Sequence, residues 1–210
     1  MSTTQVLVVF YSRHGATAEL ARHICRGIES VDGASAVLRT VPPVSAESER
    51  APRPVPDAGA PYASHEDLRR CDALLLGSPT RFGNMAAPLK YFLDSTSAIW
   101  ADGSLAGKPA AVFSGSSSLH GGQESTLLTM MIPLLHHGMY LVGVPYSEPS
   151  LTTTRSGGSP YGATHFTPQG GPAGLADDER AVARTLGARV ASLAVRLREA
   201  DSAARRGSRG

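Results

Sequence analysis

The sequence predicts an α/β fold: a five-stranded, doubly wound parallel sheet with helices on both faces. Three observations predict it. Unbroken apolar runs such as residues 6–11, rich in β-branched and aromatic side chains, suit strands buried on both faces. Such runs alternate with segments of helical apolar period through five strands, the pattern of a parallel sheet. The loops after the first, third and fourth strands are polar and glycine-bearing, and the topology gathers them at one sheet edge. Ligands of such sheets bind there, beyond the carboxyl ends of the strands.

The first strand stops at Ser12. Arg13, His14, Gly15, Ala16 and Thr17 then lead into a helix with Leu20, Ile24 and Ile28 on one face. The first N–H groups of a helix lack intrahelical partners and lie at the positive end of its dipole. A strand, a hydroxyl- and glycine-bearing turn and a helix therefore make a phosphate cradle. Ser12 and Thr17 offer hydroxyls, and Gly15 admits close approach of the backbone. Neither GxxxxGK[ST] nor GxGxxG is present, so the ATP P-loop and the dinucleotide fingerprint do not apply.

Residues 34–41 read as a second strand with weaker alternation, nearer the sheet edge. Residues 42–63 contain six prolines and are predicted as an irregular surface excursion. Ser64 is placed to cap a short helix over 65–70. Residues 71–77 form the third strand, 78–85 a loop rich in hydrogen-bonding groups, and 86–97 a helix with Leu89, Phe92 and Leu93 inward. A fourth strand over 110–113 leads to a small-residue loop over 114–122. A helix follows from about Gln123 to His137, with Gly138 as its C′ residue, and then a fifth strand over 139–144. Residues 147–174, rich in Gly, Ser, Thr and Pro, are predicted as a long loop with a functional or interface role. Residues 177–198 form an amphipathic helix bearing Val182, Leu186, Val190, Leu193 and Leu197, and 201–210 a flexible tail.

The 210 residues and net charge of +2 suit a single domain over 1–200 with a full core. No apolar run approaches the roughly 20 residues needed to cross a bilayer, and the N-terminus enters the first strand with no room for a signal peptide. Cys25 and Cys71 are too few for a disulfide framework, so a reduced cytoplasmic setting is expected. No metal is expected, because His136 and His137 have no suitably spaced third ligand. The arginines at 196, 198, 205, 206 and 209 read as a solvated chain end. No nucleic-acid recognition motif accompanies them.

Residues 78–85 contain "PTRFGNM", which resembles the corresponding loop of the WrbA-type NAD(P)H:quinone oxidoreductases, named for the tryptophan repressor-binding protein. Gly122-Gln-Glu124, His136-His-Gly-Met139, Gly157-Gly-Ser-Pro-Tyr-Gly-Ala-Thr164 and the single tryptophan, Trp100, are similar to that family too. The resemblance runs in order from about Val6 to Leu197. It implies a flavodoxin-like fold, bound FMN, and two-electron reduction of quinones by NADH or NADPH. It also implies a homotetramer in which neighbouring subunits help to build the active site.

Carried onto this chain, the phosphate loop is Ser12, Arg13, His14, Gly15, Ala16 and Thr17, of the Ser-x-x-Gly-x-Thr type that flavodoxins use. Pro79, Thr80, Arg81, Phe82, Gly83 and Asn84 become the loop at the isoalloxazine edge. Ser114, Gly115, Ser116, Ser117 and Ser118 become the second flavin loop. His136 becomes the flavin-contacting histidine and candidate proton donor, and Trp100 the aromatic of the quinone pocket. Two departures stand out. The family's "TGTGGG" run reads Ser116-Ser-Ser-Leu-His-Gly121 here, with one residue more and the bulkier Leu119 and His120. His14 replaces an aromatic residue and bears on contacts with the nicotinamide.

The flavin carries the hydride chemistry, and the protein supplies binding, orientation and electrostatics. Two other readings remain open at this stage. A one-electron flavodoxin-type carrier is one, although the slightly basic chain lacks the acidic docking surface such carriers use. A non-catalytic, repressor-binding accessory is the other.

Overall fold

A computed structural model of the chain describes residues 3–44, 59–168 and 174–207, with backbone alone at 205–207. The first apolar run forms β1 (Thr4–Phe10), in which Val6, Leu7, Val8 and Val9 are wholly buried. The chain continues through α1 (Ala16–Glu29), β2 (Ala34–Thr40), α2 (His65–Arg70), β3 (Ala73–Arg81) and β4 (Asn84–Met85). Then come α3 (Ala87–Asp94), α4 (Ser97–Ala101), β5 (Pro109–Ser116), α5 (Gln123–His136), β6 (Tyr140–Leu141), α6 (Ser150–Thr153), β7 (Ala163–Phe166) and α7 (Asp177–Gly207).

The main sheet has the order β2-β1-β3-β5-β6, and every pairing along it is parallel. Alternate residues of the buried strands feed two cores. Val6, Val8, Leu75 and Phe113 pack with Leu20, Ile24, Ile28 and the apolar stripe of α7, including Val182, Leu186 and Val190. Leu7, Val9, Leu74 and Val112 pack on the opposite face with Leu89, Phe92, Leu127 and Leu134. Helices therefore cover both faces, and each fully buried leucine or isoleucine contributes about 1.5–3 kcal/mol.

The structure revises several expected elements. β3 runs past Gly77 to Arg81 and turns back through β4, pairing Thr80 with Met85 and Arg81 with Asn84. The expected loop over 78–85 is thus a strand extension and a tight hairpin. The helix expected over 86–97 is two pieces, α3 and α4. The last helix continues to Gly207, through residues expected to be tail. Most of the proline-rich excursion lies outside the described residues; where the chain returns, Ala63 N donates to Thr40 O at 2.7 Å.

The expected fifth strand is split. β6 pairs with the start of β5, at Pro109 and Ala110, while β7 pairs with its end, from Phe113 to Ser116. Between them the chain leaves the sheet, forms α6 and returns. The segment expected as a long loop over 147–174 therefore holds a short helix and the upper half of an edge strand. Of that segment, residues 169–173 lie outside the described residues.

Candidate active site

β1, β3 and β5 end side by side, with Phe10 opposite Gly77 and Gly77 opposite Phe113. A Cβ on Gly77 would lie 2.0 Å from the Phe113 ring, so glycine here leaves room for that buried ring between the strand ends. The loops leaving them consequently meet. They enclose a cavity of about 670 Å³ lined by Ser12, Arg13, His14, Ala16, Thr17, Pro79, Thr80, Arg81, Phe82, Gly115, Ser116, Ser117, Ser118, Gly121, Thr167 and Pro168. Small-molecule sites typically measure roughly 300–1,000 Å³.

At one end of the cavity the chain enters α1 through Gly15, at φ 93°, a left-handed conformation that suits glycine. Gly15 N donates to Ser12 Oγ at 3.1 Å, leaving the Ser12 hydroxyl hydrogen free to donate elsewhere. The first backbone bond of the helix runs from Glu19 N to Gly15 O at 2.9 Å, so the N–H groups of residues 16–18 precede the intrahelical ladder. These N–H groups, two hydroxyls and the helix dipole meet on one side of the cavity. Among the described residues, the lining holds two arginines and no carboxylate. A phosphate fits this donor set.

The second wall is the β3 hairpin. The Ser78 hydroxyl, fully buried, accepts from Ala86 N at 2.8 Å and ties the two arms together. Thr80 meets the hydroxyls of Ser114 and Thr126, each at 3.2 Å. Arg81 Nη1 donates to Thr80 O at 2.9 Å. At the tip, Phe82 sits at φ 51°, alone among the described non-glycine residues in having positive φ, and its ring is fully exposed at the cavity mouth. The tip is braced against α5: a Cβ on Gly122 would lie 2.8 Å from Gly83 Cα.

The third wall comes from β5 and β7. Gln123, buried at the start of α5, donates through Nε2 to Ser116 Oγ at 2.8 Å and to His165 O at 3.2 Å. Gln123 thereby ties Ser116 of the serine-rich loop to β7 beside the cavity, while Leu119 and His120 are exposed and outside the lining.

Most residues singled out from the sequence converge here. Gly83 and Asn84 do not line the cavity: Gly83 packs on α5, and Asn84 Oδ1 accepts from Met85 N at 2.8 Å. Ser114 is buried beneath it. His136 and Trp100 lie elsewhere, in a second groove of about 480 Å³ between α3, α4 and α5 with Lys90, Asp94 and Ile132. His136 ends the helix that Gln123 begins, which separates them by about 20 Å along the axis. Within one copy of the chain, His136 therefore stands apart from the three-loop cavity.

His137, beside it, meets Thr96 Oγ1 at 3.0 Å through Nε2; burial first, and then the neighbouring His136, lower its pKa. The sequence reading missed Gly121, Thr167 and Pro168. Thr167 and Pro168 come two residues after the "PYGAT" stretch, which is the one signal that could have found them.

The model of the NADPH-dependent FMN reductase family matches residues 6–148. An NAD(P)H dehydrogenase (quinone) of Syntrophobacter fumaroxidans is 42% identical over 200 residues, spanning 92% of this chain and 98% of that relative. Its namesake in Trichlorobacter lovleyi is 43% identical over 202 residues, with the same coverage. The chain belongs to the NADPH-dependent FMN reductase family. The flavodoxin, WrbA-like protein of Agrobacterium tumefaciens shares the fold of this chain with a TM-score of 0.64 at 23% identity, covering 92% of this chain and 99% of its own.

Proposed function

We propose that the three-loop cavity holds FMN and that the protein uses it to reduce quinones to hydroquinones with NADH or NADPH as donor. One observation carries this reading: a helix N-terminus, two hydroxyl-rich walls and an exposed aromatic ring face a single cavity whose described lining holds no acidic side chain. Bound FMN would supply the two-electron hydride chemistry. The chain's own groups bind and orient. Ser12, Ala16 and Thr17 hold the phosphate through N–H and hydroxyl groups, with Gly15 shaping the turn and Arg13 adding charge. Thr80, Arg81 and the 115–118 segment engage the ribityl chain and ring edge. Phe82 offers a stacking face worth roughly 0.5–1.5 kcal/mol beyond its burial, and His14 borders the space left for the nicotinamide.

Trp100 and His136 complete a neighbouring copy's site in this reading, as part of a homotetramer. Supporting it, α5 presents Leu128, Ile132 and Leu135 to solvent along one face, close to exposed Trp100. Neither cysteine competes as a redox group near neutral pH: burial pushes Cys25 up to about 11 and Cys71 up to about 12. Two free thiols accord with a reducing cytoplasm. No described helix is long and apolar enough to cross a membrane.

The test is a visible spectrum of the purified chain titrated with FMN, followed by NADH and NADPH oxidation with benzoquinone as acceptor. Flavin binding with nicotinamide consumed only in the presence of quinone is expected. Flavin bound without turnover would instead favour a carrier. A monomer in sedimentation of the FMN-loaded protein would remove the inter-copy role of Trp100 and His136.

A further inference from the structure

The third wall of the cavity depends on β7, a four-residue strand at the sheet edge. Behind it lies a buried carboxylate. Glu179 is 0% exposed, and its two oxygens meet five groups from three separate places in the fold. Oε1 accepts from Ser156 Oγ at 2.6 Å, Gly157 N at 2.7 Å and Phe166 N at 3.0 Å. Oε2 accepts from Ala176 N at 2.9 Å and from His165 Nδ1 at 2.7 Å. Burial pushes this carboxyl upward, but the bonds from His165, Ser156, Phe166 and Ala176 outweigh it and hold Glu179 at about 2. An ionised carboxylate only accepts, so Nδ1 of His165 carries the hydrogen. Its other nitrogen, Nε2, is buried with no partner among the described residues.

From His165 the connections run directly to the cavity. Its carbonyl accepts from Gln123, which also donates to Ser116 Oγ. His165 is in register with Gly115, and the next residue but one, Thr167, donates from its N–H to Ser116 O at 2.9 Å. Gly115, Ser116 and Thr167 all line the cavity.

We propose that His165 and Glu179 are positioning residues of the cofactor site: the buried pair pins β7 to the start of α7 and to the 155–158 turn, and so fixes the Gly115, Ser116 and Thr167 wall. The inference rests on the FMN reading above. The role requires the Nδ1 donor and makes no use of Nε2. It therefore discriminates between two amides. In His165→Asn the side-chain N–H₂ takes the place of Nδ1, whereas in His165→Gln it sits nearer the place of Nε2.

The experiment measures the FMN dissociation constant of flavin-free parent, His165→Asn, His165→Gln, His165→Ala and Glu179→Gln proteins from quenching of flavin fluorescence, with circular dichroism to establish folding. Loss of the donor leaves a buried charged acceptor short of a partner, so His165→Ala and His165→Gln are expected to weaken FMN binding roughly tenfold to a hundredfold. Glu179→Gln sets an amide N–H₂ against backbone donors and should weaken it similarly. His165→Asn should stay within about threefold of the parent. The comparison of Asn with Gln stands even where the alanine variant does not fold. Equal binding by the Asn and Gln variants, or rescue by Gln alone, overturns the inference. A parent chain that binds no FMN overturns the functional reading and this inference with it.

Discussion

Phe82 is the residue at which local strain and exposure coincide. A bulky side chain at φ 51° costs roughly 1–2 kcal/mol relative to glycine, yet the ring contributes nothing to either core. Phe82→Gly is accordingly expected to raise the thermal midpoint of the flavin-free protein, while lowering kcat/KM for quinone about threefold to tenfold through lost stacking. Calorimetry and steady-state kinetics on the same samples check both signs. An unchanged kcat/KM would remove Phe82 from the site. At this scale the sequence was informative where a local motif carried the chemistry, as in Ser12 to Thr17 and Thr80 to Phe82. It was silent on Glu179, which reads as one more acid in the first turn of an amphipathic helix. Its burial is decided by the return of β7, which no local pattern records.

Helix against helix, the tightest packing joins α1 to α7. A Cβ on Gly27 would lie 2.0 Å from Arg184 O, and one on Gly187 would lie 2.2 Å from Ile24 O. Alanine gains about 1 kcal/mol over glycine inside a free helix, but here the added methyl meets backbone that cannot rotate away. Gly187→Ala is expected to lower stability by about 1–3 kcal/mol, read as a lower urea midpoint at unchanged slope. A higher midpoint would show that the helices can separate at small cost. The elements best legible in the sequence are those with long, clean periodicity: β1, the first part of β3, α1, α5 and α7. The split fifth strand was not legible. Two paired residues before the excursion and four after it, with Thr164 and His165 among them, are too short and too polar to register as one strand.

For the whole molecule, buried titratable groups set the dependence of stability on pH. His23 is lowered below 6.5 by burial, with Arg26, Arg184 and Arg180 adding repulsion, and His137 is lowered as well. The folded state then binds fewer protons than the unfolded chain just below pH 6.5, so stability is full above that value and declines as pH falls below it. Glu179 acts lower. Its contribution is present above 4.5, the ordinary carboxyl value, and is lost as pH falls towards about 2. The thermal midpoint of the flavin-free protein should therefore fall in two stages between pH 8 and pH 3. Glu179→Gln should shrink the lower stage, to which the lowered carboxyls of Asp102 and Glu148 also contribute, and keep the upper one. A single stage in the parent would show that these groups are not the ones titrating.

The divided fifth strand has one more consequence. Sheet edges invite other chains, because a long edge offers a continuous row of unpaired N–H and C=O groups. Here that outer border is made of two pieces, Tyr140–Leu141 and Ala163–Phe166, interrupted where the chain swings out and back. No incoming strand can find a straight template of useful length along it. The detour that builds one wall of the cavity also guards the molecule against aggregation along this border.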